Sequence, residues 1–213
     1  MDGRGRLEIK EREVEALDEA IARDYFEIHG WLTRRTRRSR EAGRKKVGGE
    51  IVLALHNPSI EANGSNLNFL LFSTDLVRIR SALLAVVGWG VPGFSPASMR
   101  SGNAMLKFLK AEVIGKLDDW FEVAPGNSEE GMGPLLRLIC LPGLPGTEKM
   151  RQPVVDLLQS AGIDGAFTMR AMLEHLLRRA EETSDYRGSL PLQFLRMLKV
   201  YEVVRDPQMD FFD

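Results

Sequence analysis

The stretch Ala82–Pro96, ALLAVVGWGVPGFSP, constrains the fold more than any other part of the chain. Six consecutive apolar residues with no polar alternation predict a strand buried on both faces, so a covering layer is needed above and below it. The run then breaks into Gly88-Trp89-Gly90-Val91-Pro92-Gly93, which has the spacing of the dinucleotide-binding G-x-G-x-x-G. That fingerprint requires strand, glycine turn and helix N-terminus in immediate succession, so that free backbone N–H groups meet a pyrophosphate. Here Pro92 removes one N–H, and Phe94-Ser95-Pro96 postpones the helix. No acid ends a strand about 20 residues on, where the ribose would be held; Glu112 falls within a predicted helix. The glycines therefore read as a strand end that turns sharply around Trp89.

Around this strand the periodicities predict a mixed order of elements. Ile9, Val14, Leu17, Ile21, Tyr25 and Ile28 recur at helical spacing over Leu7–His29, and Gly30 ends that helix. Strands are predicted at Trp31–Thr36, Glu50–His56 and Leu67–Phe72, followed by a helical turn over Asp75–Arg80. The main strand occupies Ala82–Val87. A helix runs from Ser95-Pro96 to Glu122 with a break near Gly102, and another strand spans Leu135–Leu141. Helices are predicted at Glu148–Ala161, Met169–Glu182 and Leu190–Tyr201. Strands cluster in the first two-thirds without strict alternation, which predicts an α/β domain with a mixed sheet flanked by helices. A single domain over 1–213 is expected, with 165–213 as a C-terminal helical extension.

Composition excludes several classes. Of 213 residues 44% are hydrophobic and 28% charged, enough for a substantial core, and the net charge is −1. No apolar run reaches bilayer length and the N-terminal MDGRGRLEIKEREVE lacks the pattern of a leader. A cytoplasmic protein without membrane contact is expected. The single cysteine, Cys140, lies in LLRLICLPG and reads as a buried structural thiol; it excludes an intrachain disulfide. His29, His56 and His175 are too scattered for a zinc site. His56, at a predicted strand end near the main strand, is a candidate base, while His29 and His175 read as a helix-end and a boundary residue.

Read in order, RDYFEIHGWLTRR (23–35), GGEIVLALHNP (48–58), FSTDLVRIRSALLAVVGWGVPGFSP (72–96), GIDGAFTMRAMLEHLL (162–177) and LQFLRMLKVYE (192–202) resemble the restriction-endonuclease-like, or PD-(D/E)XK, nuclease superfamily. The likeness spans about Glu15 to Tyr201. It implies a restriction-endonuclease-like fold in which an Asp and a Glu on neighbouring strands hold Mg²⁺, and a Lys two residues after the Glu orients the attacking water. Carried onto this chain, those positions are Val52, Ala85 and Val87, all apolar. The resemblance thus implies a nuclease-like domain without its catalytic residues, needing no cofactor and binding DNA, RNA or a protein partner. A displaced site is the alternative, with Glu50, Asp75 and Glu19 (or Glu15) rebuilding a Mg²⁺ or Mn²⁺ centre; the same acids also read as solvated element ends. A third alternative is a structural subunit whose Phe211 and Phe212 dock on a partner.

One segment points to a polyanion. Arg34, Arg35, Arg37, Arg38, Arg40, Arg44, Lys45 and Lys46 face a single acid, Glu41, within thirteen residues. Such a run repels itself unless neutralised, and arginine suits bidentate contacts to phosphate. The competing neutraliser is the acidic first helix, EIKEREVEALDE, or the acidic tail. No aromatic residue interrupts the run, so the pattern supports phosphate contact rather than base stacking.

Overall fold

The computed structural model describes residues 16–36, 51–122 and 135–204. Residues 16–27 form helix α1, and five strands follow: β1 (Leu32–Arg35), β2 (Ile51–His56), β3 (Ser81–Val86), β4 (Leu136–Leu141) and β5 (Gly165–Thr168). They form one mixed sheet in the order β1-β2-β3-β4-β5. The first three make an antiparallel meander; β3, β4 and β5 are mutually parallel neighbours. The parallel connections carry helices, as they must to return the chain to the same end of the sheet. Between β3 and β4 lie α2 (Pro96–Arg100), α3 (Gly102–Glu112) and α4 (Leu117–Phe121); α5 (Glu148–Ser160) joins β4 to β5. Helices α6 (Met169–Arg179) and α7 (Leu190–Val200) complete the described chain.

The period-two alternation of the strands divides the core into two layers. Leu53, Leu55, Leu84, Val86, Leu138, Cys140 and Phe167 pack beneath α1, α6 and α7. On the other face Val52, Leu83, Ala85, Ile139 and Leu141 meet α3, α4 and α5. Strand β3 is buried along its whole length because both layers cover it, as its unbroken apolar run requires. The result is a three-layer α/β/α arrangement.

Three expectations are corrected. Residues 165–213 do not begin as a helical extension: Gly165–Thr168 is strand β5, paired with β4, and Phe167 lies in the core. Leu67–Phe72 is not a ladder strand but makes one isolated bridge, Leu70 with Ala166. The helix expected over 95–122 breaks at Ser101, beside the expected Gly102, where the Ser101 hydroxyl caps α3 by accepting from Ala104 N–H; against expectation it is interrupted a second time, by the 3₁₀ turn Ile114–Lys116. Among the described residues no helix is long and apolar enough to cross a membrane.

Candidate functional site

The three positions that the resemblance singles out converge. Val52 and Ala85 are direct partners in the β2–β3 register, and Val87 lies two residues beyond Ala85 on the same face. All three are buried and belong to one apolar cluster with Leu83, Met105, Phe108 and Trp120. They meet in a filled core rather than an open pocket. A carboxylate at any of them would lose its hydration against methyl groups.

The other acids are engaged elsewhere. Asp75 is buried in the 3₁₀ turn Ser73–Arg78, where its carboxylate accepts from Phe72 N–H at 2.9 Å. Its turn packs through Leu76 and Ile79 into the opposite layer of the core from Val52. Glu19 on α1 forms an ion pair with Arg35 at 3.3 Å. The structure therefore does not bring Asp75 and Glu19 to the face that carries Val52, Ala85 and Val87. Glu15 and Glu50 lie outside the described residues. His56 bonds Ser81 through Nδ1 at 2.9 Å and sits at the far end of β2, four residues from Val52, or about 13 Å at the rise of a strand. That separates it from the position a base would need. Among the described residues, no three of His, Cys, Asp and Glu gather as a metal-binding group.

The glycine motif forms the turn that ends β3, as its spacing predicts, and it has a second role that the spacing does not show. Asp18, on α1 and 3% exposed, accepts from Trp89 N–H at 2.8 Å, with a further backbone hydrogen bond from Gly90. A Cβ at Gly88 would stand 1.8 Å from the Asp18 Oδ2, so only glycine leaves room for this carboxylate. Gly93, at φ +80°, supplies the left-handed turn that follows. The N–H groups that would cradle a phosphate are thus occupied by the protein's own carboxylate. Burial pushes the Asp18 carboxyl up to about 6, against the lowering effect of those two hydrogen bonds. Sequence reasoning misses Asp18 because it sits on the apolar stripe of α1, 71 residues before its partner. A lone acid at helical spacing with Ile21 and Tyr25 is its only signal.

Trp89 also lines an open, largely apolar cleft of about 690 Å³. The cleft lies where β3, β4 and β5 end, with Pro142, Arg151, Thr168 and Arg170 on its walls. The carboxyl ends of parallel strands are where open α/β sheets hold ligands. Arg170 is partnered by Glu174 at 2.7 Å.

A second pairing carries no signal in the sequence. His29, just past α1, and His175 on α6 place their Nε2 atoms 3.0 Å apart, with Tyr25 edge-on to both rings. One imidazole donates and the other accepts, so at most one ring of the pair can carry a proton on both nitrogens. Burial lowers both pKa values. Cys140 is fully buried beside Met172, and burial raises its thiol, which makes it inert packing.

Of the basic run only the start is described. Arg34 and Arg35 are exposed on β1, the edge strand. Thr36 N–H donates to the Val52 carbonyl at 2.9 Å, so the chain leaves the sheet edge beside position 52. Arg37, Arg38, Arg40, Arg44, Lys45 and Lys46 lie outside the described residues, as do Phe211 and Phe212. Comparison with family models, with curated proteins and with solved structures yields no match.

Proposed function

We propose that the chain is a restriction-endonuclease-like domain whose metal-binding positions have become packing positions, and that it binds nucleic acid without cleaving it. One observation carries the reading: the basic run departs from the sheet edge at Thr36, hydrogen-bonded to Val52, the residue that stands where the superfamily has its Asp. Arg34, opposite Ala54 in the ladder, stands on the edge strand on the same sheet face as Val52. The order of helix, three-stranded meander, crossover helices and two parallel strands is compatible with such a domain. Exposed arginines on an edge strand suit phosphate contact and also discourage strand-to-strand aggregation. The Glu19–Arg35 pair does not compete strongly, because an ion pair with a half-exposed arginine contributes about 0–1 kcal/mol.

The test is binding of labelled duplex and single-stranded oligonucleotides across a salt series. If about six charges neutralise phosphates, affinity falls by about 10³ between 50 and 200 mM salt. Replacing Arg34, Arg35, Arg37 and Arg38 with Ala flattens that slope. The oligonucleotides stay intact in Mg²⁺ or Mn²⁺. Failure to bind at low salt overturns the reading; cleavage that Glu50→Ala with Asp75→Ala abolishes replaces it with a nuclease using displaced carboxylates.

A further inference from the structure

The cleft of about 690 Å³ at the carboxyl ends of β3, β4 and β5 has the size of a small-molecule site, which commonly occupies about 300–1,000 Å³. Its walls are mostly apolar, and they include two aromatic side chains that the core does not cover: Phe72 is 55% and Trp89 44% exposed. Trp89 is fixed from two sides. Its N–H donates to the Asp18 carboxylate at 2.8 Å, and its ring meets Phe94 edge-on at 5.2 Å. That wall is set before any ligand arrives, which lowers the ordering cost of binding. Charge in the cleft is unbalanced. Among the described residues three charged side chains line it, Arg151, Arg170 and Glu174. Arg170 and Glu174 offset each other through their 2.7 Å ion pair. Arg151, in the second turn of α5, is half-buried and makes no hydrogen bond or ion pair with any described residue. A guanidinium partly withdrawn from water and left without an acceptor favours an anion, and its fork of donors matches a carboxylate.

We propose that this cleft binds a small organic acid, a single carboxylate on an apolar body, with the carboxylate on Arg151 and the body against Trp89 and Phe72. One negative charge is the match, because only the Arg151 charge is uncompensated. A phosphate monoester carries about −1.5 to −2 at pH 7 and would share the cleft with Glu174 without a second free cation to meet it. The assignment goes beyond the nucleic-acid reading and does not depend on it. The cleft lies at β3, β4 and β5, whereas the exposed arginines stand on β1 at the other edge of the sheet.

The experiment is calorimetric titration of the full chain with octanoate, and in parallel with neutral octanol and with octyl phosphate. Saturable octanoate binding with a Kd below about 1 mM is expected, with weaker binding of both analogues. Arg151→Gln removes no polar contact within the fold and melts with the parent. It weakens octanoate at least about tenfold, as loss of a charge-assisted hydrogen bond does, and leaves octanol unchanged. Fluorescence locates the site. Of the three tryptophans Trp31 and Trp120 are buried and Trp89 is exposed, so octanoate shifts the emission of the parent and not that of Trp89→Phe. No saturable binding of octanoate up to 5 mM overturns the proposal. Binding that Arg151→Gln leaves unchanged, or that leaves Trp89 emission unmoved, overturns it as well. Octanol that binds as tightly as octanoate removes Arg151 from recognition, and octyl phosphate that binds more tightly refutes the single-carboxylate assignment.

Discussion

Replacing Asp18 with Asn alters the pH dependence of stability in a direction the structure dictates. Asp18 is 3% exposed, and its carboxyl is pushed up to about 6 from an ordinary 3.8. Between those two values the folded protein holds a proton that the unfolded chain releases. Stability from this group is therefore fully present below pH 3.8 and is lost as pH rises through about 6. Two pH units at about 1.4 kcal/mol each, discounted for the water that reaches the site, give on the order of 2 kcal/mol. For a domain of this size that corresponds to about 4–8 °C in melting temperature. Asn keeps an oxygen for Trp89 N–H but does not titrate. Urea denaturation of parent and Asp18→Asn at pH 4.5, 5.5, 6.5 and 7.5 isolates the effect, because contributions from other groups cancel in the difference. Stability of the Asn variant relative to the parent is expected to rise by about 1–2 kcal/mol from pH 4.5 to 7.5 and to flatten above pH 7. A difference that stays constant with pH refutes the reasoning: Asp18 would then be charged throughout.

The His29–His175 pair acts in the opposite sense. Both pKa values are lowered, so the unfolded chain takes up protons below about pH 6.5 that the folded pair resists, and stability falls as pH drops below that value. Thermal melts from pH 7.5 to 5 are expected to show this acid-side loss in the parent and a smaller one in His29→Gln with His175→Gln. Gly88→Ala drives a methyl group into the Asp18 carboxylate and is expected to cost about 1–3 kcal/mol, measured by chemical denaturation. Asp18→Ala is expected to cost less in a chain that already carries Gly88→Ala than in the parent, with a coupling of about 1 kcal/mol or more; simple additivity would contradict the contact.

What is legible in the sequence follows from continuous local patterns. Strands β2, β3 and β4 announce themselves as apolar runs, and helices α5 to α7 as stripes ended by glycine, a polar residue or a chain turn. The face parity that unites Val52, Ala85 and Val87 needs only the alternation of strand side chains and the assumption that β2 neighbours β3. Strand β5 escapes because GAFT is four residues long and runs straight into a helix, capped by its own last residue, Thr168. Leu67–Phe72 misleads for the opposite reason: only Leu71 is fully buried, Phe72 is exposed, and a single bridge from Leu70 to Ala166 is all the sheet pairing the apolar run makes. Asp18 and the two histidines are illegible as site residues because each acquires its meaning from a partner far along the chain. The glycines of GWGVPG read as a turn from their spacing alone, but the reason position 88 must be glycine lies on α1.

The central claim, that positions 52, 85 and 87 are a metal site turned into core, is tested most directly by restoring the three side chains. Val52→Asp, Ala85→Glu and Val87→Lys together place three charges in an apolar cluster, so without metal the variant is expected to melt below the parent. The measurement is melting temperature with and without millimolar Mn²⁺ for the parent, the triple variant and Val52→Asp with Ala85→Glu. The account predicts that Mn²⁺ raises the melting temperature of both variants and not of the parent, because a ligand stabilises only the state that binds it. Variants that fold and show no more shift than the parent would contradict it.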